Sequence, residues 1–255
     1  MLTTFSSFNL ISTNLGKSIS RTSSQPAVAR EIDYYQKTIG SIKSVDGFVK
    51  NDRVFRFAMK AFGLEDMSYA KAFMKKMLTE GLESSGAMAN RLSDQRYKEF
   101  VKAFNFERYG ELTTTFSSTR AGTVDRYVRQ TLEETAGAQN EGVRLALYFQ
   151  RKAPSVTSGY AFMADPALLK VAQTVLGLPV GQRMDVDGTA KLIEKRINIP
   201  DLQSPEKVQK LLQRFAAMWD VNNGAMSSPF NAMSSGTAGG AMSVDLLYSL
   251  QRLKR

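Results

Sequence analysis

Asp52-Arg53-Val54-Phe55-Arg56-Phe57-Ala58-Met59-Lys60-Ala61-Phe62-Gly63-Leu64 decides how the rest of the chain is read. Phe55, Ala58 and Phe62 recur at helical spacing. Asn51 stands before them as an N-cap, and Gly63-Leu64 has the form of a helix stop in which glycine takes a left-handed backbone. The surrounding pattern returns 114 residues downstream: Tyr34, Gln36, Phe48, Ala58, Gly63 and Leu64 fall on Tyr148, Gln150, Phe162, Ala172, Gly177 and Leu178. A shift of 120 brings Ala70-Lys71 onto Ala190-Lys191. A shift of 111 turns the stripe Tyr97, Phe100, Val101, Phe104 into Val208, Leu211, Leu212, Phe215. The matches fall mostly on core positions and helix stops, so they predict a duplicated helical fold and say nothing of a site.

Working outward, the spacing predicts helices from Pro26 through Ile39, from Asp52 to Phe62, around Asp66 or Ser68 to Gly81, and from Ser93. Asp46 is a further predicted cap. Beyond them, residues 123–152 read as helix with a break at Gly137. Asp165-Pro166 opens a helix ending at Gly177, Asp187 caps the next, and Ser204-Pro205 opens one more. Strand signals are poor. The expected fold is therefore all-α, two tandem, diverged helical-bundle repeats with flexible N- and C-terminal tails. The expected divisions are a tail over 1–27, repeat one over 28–110, a partly helical connection over 111–138, repeat two over 139–220, and a Gly/Ser/Met-rich linker with a short amphipathic helix over 221–255.

Composition removes several chemistries. The chain of 255 residues has no Cys and no His, which excludes disulfides, thiolate nucleophiles, His-containing dyads and Cys/His zinc sites. No apolar run has the length of a membrane-spanning helix, and the N-terminus lacks the pattern of a secretory signal. The net charge is +10, but residues 1–30 carry three bases and no acid, and residues 221–255 three bases and one acid. Half of the excess therefore sits in the tails and the helical body mixes both signs, so nucleic acid is not an expected partner.

Local motifs dissolve on inspection. Gly16-Lys17-Ser18 has Ile11 where a phosphate loop needs glycine. Asp185-Val186-Asp187-Gly188 begins like a calcium loop, but Ala190 and Arg196 occupy the positions that need Gly and Glu. Glu65-Asp66 and Glu133-Glu134 are adjacent on helices and do not face each other. Met226, Met233 and Met242 lie in the linker, where a partner could cover them. The candidate partner contacts are Phe5, Phe8 and Leu10 in the N-terminal tail and Leu246, Leu247, Leu250 and Leu253 on one side of the C-terminal helix. Catalytic, cofactor and metal residues are not assigned.

The strings Glu31-Ile32-Asp33-Tyr34-Tyr35, Ala58-Met59-Lys60-Ala61-Phe62-Gly63-Leu64-Glu65-Asp66-Met67, Tyr69-Ala70-Lys71-Ala72-Phe73, Ala89-Asn90-Arg91-Leu92-Ser93-Asp94-Gln95-Arg96-Tyr97 and Phe104-Asn105-Phe106 resemble a bacterial domain family of unknown function. That family is chiefly alphaproteobacterial, its genes often lie among flagellar genes, and some members carry more than one copy of the domain. The second half departs from it, with no Ser-Asp-x-Arg-Tyr string. The resemblance implies a non-enzymatic flagellar structural or assembly protein without cofactor, whose partners are other flagellar proteins or further copies of itself. Residues 1–16 carry no charge, as an export leader would, which points to the flagellum or the exterior through type III export. The alternative is a cytoplasmic regulator or chaperone binding flagellar subunits or transcripts.

Overall fold

A threonine and an aspartate far apart in sequence set how the chain begins. In the computed structural model, which describes residues 2–179 and 185–223, α1 (Thr4–Thr13) starts behind Thr3, whose side chain accepts from Ser6 N. The amides of Thr4 and Phe5 donate to the two carboxylate oxygens of buried Asp220, at 2.8 and 3.1 Å. A carboxylate at a helix N-terminus satisfies donors that lack intrahelical partners and opposes the positive end of the helix dipole. Phe8, fully buried, then anchors α1 in the core of the second half. The next helix, α2 (Leu15–Ser23), follows at once. The tail expected over 1–27 is thus folded: its Ser/Thr composition hid one deep anchor and one remote cap.

The first lobe contains α3 (Pro26–Ile39), α4 (Val45–Lys50), α5 (Asp52–Ala61), α6 (Lys71–Glu80), α7 (Met88–Arg91), α8 (Gln95–Ala103) and α9 (Phe106–Tyr109). Its core is aromatic: Tyr35 stacks on Phe57 at 4.3 Å, and Phe57 on Tyr127 at 3.9 Å. The polar run over 113–119 belongs to this core. Thr113, Thr114 and Thr119 are fully buried, their hydroxyls donating to the carbonyls of Asn105, Ile42 and Thr113. A buried hydroxyl with a carbonyl partner escapes the cost of an unmet hydrogen bond. The long α10 (Ala121–Gln139) supplies Tyr127 to the first lobe and packs against α2, α5 and α11 (Glu141–Lys152). The segment expected to connect the halves is therefore their shared wall.

The second lobe continues from α11 with α12 (Gly159–Met163), α13 (Pro166–Leu176), α14 (Val186–Arg196) and α15 (Pro205–Asn222). No strand occurs among the described residues, and none of their helices is long and apolar enough to cross a membrane. The fold is all-α.

Caps and stops recur in register. Ser44 and Ser158 precede α4 and α12, and Asn51 and Asp165 cap α5 and α13. Gly63 (φ 70°) and Gly177 (φ 66°) both take positive φ. In each case the following leucine donates back into the last turn, Leu64 N to Met59 O and Leu178 N to Gln173 O. Other boundaries shift. Ser44, not Asp46, caps α4, and Asp185, not Asp187, caps α14. Asp94 caps α8, and the break near Gly137 falls at Asn140. In α6 the buried residues are Met74, Met77 and Leu78, and in α14 Thr189, Ala190 and Ile193.

Candidate inter-lobe binding cleft

Three helices turn polar faces toward the space between the lobes. On α8, the Asp94 carboxylate caps the helix by accepting from Arg96 N at 2.9 Å and also accepts from the Arg96 guanidinium at 2.7–3.1 Å. Arg96 donates in addition to the carbonyl of Gly63, the left-handed residue that ends α5. The helix stop and the arginine thus fix one another. Burial pushes the Asp94 carboxyl up, but the hydrogen bonds from Arg96 outweigh it and hold it below the usual range.

One turn on, Glu99 accepts from Lys152 at 2.6 Å and from Arg126 of α10 at 3.3 Å, tying both lobes to α10. Burial raises its carboxyl, and the surrounding Lys152, Arg126 and Arg151 bring it below the ordinary value. Lys98 and Lys102 flank it at i and i+4, exposed and without an ion-pair partner among the described residues.

The facing wall is α11. Arg144, Tyr148, Arg151 and Lys152 sit at i, i+4, i+7 and i+8, one stripe of the helix. Each has an acidic partner. Glu141 grips Arg144 at 2.5 and 2.7 Å, and Glu133 grips Arg151 at 2.7 and 2.8 Å. Tyr148 donates to Asp165 at 2.6 Å, while the other oxygen of Asp165 caps α13. Burial, then the Asp165 charge, pushes the Tyr148 phenol far above its ordinary value, so it stays a donor. Glu133 is almost wholly buried and also pairs with Arg129, so three charges interlock α10 and α11.

Apolar side chains, among them Phe62, Val156, Ala161 and Leu168, line the rest of a cavity of about 840 Å³. Seven Lys/Arg against three Asp/Glu face it. Five of these cations already pair with a carboxylate, so the surplus presented to a ligand centres on Lys98 and Lys102. The arrangement is rich in fixed donors, poor in free acceptors, and suited to hold anionic groups.

The family model described as protein of unknown function (DUF1217) matches residues 61–208. The chain belongs to this family. The DUF1217 match is one stretch from the end of α5 into α15, so it spans both lobes, whereas the resemblance had implied a copy of the domain in each half. Every residue lining the cleft lies inside it. A protein from Agrobacterium tumefaciens with a crystal structure is 51% identical and superposes with a TM-score of 0.81, covering 86% of this chain and 94% of that one. Among curated proteins none matches.

The candidate contacts read from the sequence lie elsewhere. Phe5 and Leu10 are exposed on α1, at 40% and 64%. Phe8 is core, because α1 turns it under α11 and α15, and it is not available to a partner. Leu246, Leu247, Leu250 and Leu253, with the three linker methionines, lie outside the described residues. Sequence reasoning missed Arg144, Arg151 and Lys152. Their spacing on α11 is a usable signal, but of the cleft stripe only Tyr148 enters the repeat, as the match to Tyr34.

Proposed function

We propose that this chain is a non-enzymatic structural or assembly protein of the bacterial flagellum, exported through the type III apparatus, that works by binding other proteins or further copies of itself. The observation that carries the binding part is the condition of the cleft. Asp94 and Glu99 are held ionised by cations and Tyr148 is held protonated, the reverse of groups tuned to exchange protons near neutral pH. Rigid donors around an apolar floor serve recognition. The flagellar part rests on the resemblance over residues 31–106 and on the uncharged residues 1–16. The paired caps and stops support reading the lobes as diverged copies of one unit.

One observation favours the alternative, a cytoplasmic regulator or chaperone of flagellar subunits or transcripts. The would-be leader is built into the second lobe through Phe8 and Asp220, so export requires α1 to leave its seat. Immunoblots of culture supernatant, purified hook–basal bodies and cytosol, with and without a working flagellar export ATPase, separate the two. Signal outside the cytosol that vanishes with the ATPase is expected. Signal confined to the cytosol in both strains would overturn export and favour the regulator.

A further inference from the structure

We propose that the inter-lobe cleft is the docking site for an acidic peptide segment of a partner protein that also inserts an apolar side chain. The inference rests on the reading that this chain works by binding proteins, and it names the chemistry of what is bound.

Charge complementarity supplies the first argument. Lys98 and Lys102 stand one turn apart on α8, exposed, with no carboxylate of the described chain to neutralise them. A helix surface brings residues at i and i+4 to within about 6 Å between Cβ atoms, close enough for neighbouring acidic side chains of one segment to meet both. Across the cleft, Arg144 and Arg151 are fixed by Glu141 and Glu133. Arginines already paired in this way lose little further rotamer freedom when a carboxylate meets their remaining N–H groups, so less of the binding energy is spent on ordering them.

The floor decides between ligand classes. Ala161, Ala164 and Pro166, backed by buried Phe62, Val156 and Leu168, give it an apolar surface that inorganic phosphate or a nucleic-acid backbone would leave unused. Three carboxylates, Asp94, Glu99 and Asp165, interrupt the cations and would repel a continuous run of phosphates. A peptide can place acids against the lysines and one side chain on the floor. The cavity of about 840 Å³ lies within the range that takes a ligand of a few residues.

The test is selection from a displayed library of random peptides on the full chain, followed by fluorescence anisotropy with the most enriched sequence as a labelled peptide. The enriched peptides should carry net negative charge and at least one large apolar residue. Affinity should fall about tenfold or more in Lys98→Glu/Lys102→Glu, since two attractive charges become repulsive. Both lysines are exposed and have no ion-pair partner among the described residues, so the melting temperature should hold. Ala161→Trp, which narrows the floor without altering charge, should weaken binding as well. Three results would overturn the proposal: no enrichment, enrichment of neutral or basic peptides, or affinity indifferent to the lysine reversal. Displacement of the peptide by single-stranded DNA at lower concentration than by unlabelled peptide would overturn it in favour of a nucleic-acid ligand. A chain that fractionates with flagella yet selects no acidic peptide would sink this proposal alone.

Discussion

The two lobes share their punctuation and differ in what fills them. In the first, Phe48 alone meets the rings of Phe55, Phe100, Phe104 and Phe106, and Tyr35, Phe57 and Tyr127 stack in series. In the second, Phe149 and Phe162 sit among Val, Leu, Ile and Ala, and the core takes Phe8 from α1. Helices α8 and α15, which carry the matched stripes Tyr97/Phe100/Val101/Phe104 and Val208/Leu211/Leu212/Phe215, are 9 and 18 residues long. Caps and left-handed glycines set where the backbone turns, and those positions hold while side-chain volume is redistributed around them. A lobe that has exchanged rings for aliphatics closes its core with a helix from the other end of the chain.

The sharpest way to break this comparison is to remove what only the second lobe needs. Phe8→Ala should cost about 3–5 kcal/mol, the range for emptying a buried phenylalanine site. In a chemical denaturation curve, the protection of Trp219, which packs on the second core, should be lost first. Glu133→Ala should cost a similar 3–5 kcal/mol or somewhat less, because it leaves the largely covered Arg129 and Arg151 without their buried carboxylate, and thermal melts would register it. Gly159→Ala should cost about 1–3 kcal/mol by overpacking, since a Cβ there would lie 2.2 Å from Ala190 O, where α12 meets α14. Gly47, within α4 of the first lobe, has room for a methyl group, with Ser44 Oγ at 3.4 Å, so Gly47→Ala should be mild.

A closer comparison uses the paired stops. Gly63→Val and Gly177→Val should each destabilise by about 1–2 kcal/mol or more, as expected for a β-branched residue at φ > 0. Equal losses would show that the two stops do the same job. An unchanged melting temperature for either would remove that glycine from the account. The smallest effect concerns pH. The Glu99 carboxyl is held below its ordinary value in the folded chain, so its stabilisation is present above the unfolded value near ~4.3 and lost as pH falls through the folded value. The melting-temperature gap between wild type and Glu99→Gln should be full above about pH 5 and close in acid.

Helix stops and proline starts were legible because they depend on a few neighbouring residues: Gly63, Gly177, Pro26, Asp165-Pro166 and Ser204-Pro205 all stand where the sequence places them. What escaped depends on distant partners. The start of α1 is held by Asp220, 216 residues away, and no local pattern announces it. The threonines of 113–119 look like a surface loop, and their burial follows from carbonyls that only the folded first lobe presents. The cleft escaped for the same reason. Asp94 and Arg96 lie in a string that stood out, but their place in a cleft depends on residues of α10 and α11 lining its other walls.

The central claim is that α1 is a structural part of the second lobe and not a detached tail. Hydrogen exchange on the chain with and without residues 2–13 tests it most directly. The expected result is faster exchange across α11, α13 and α15 in the shortened chain, with α4, α5 and α6 of the first lobe still protected. Unchanged exchange in the second lobe would contradict the claim, returning the N-terminus to the role of a detachable leader.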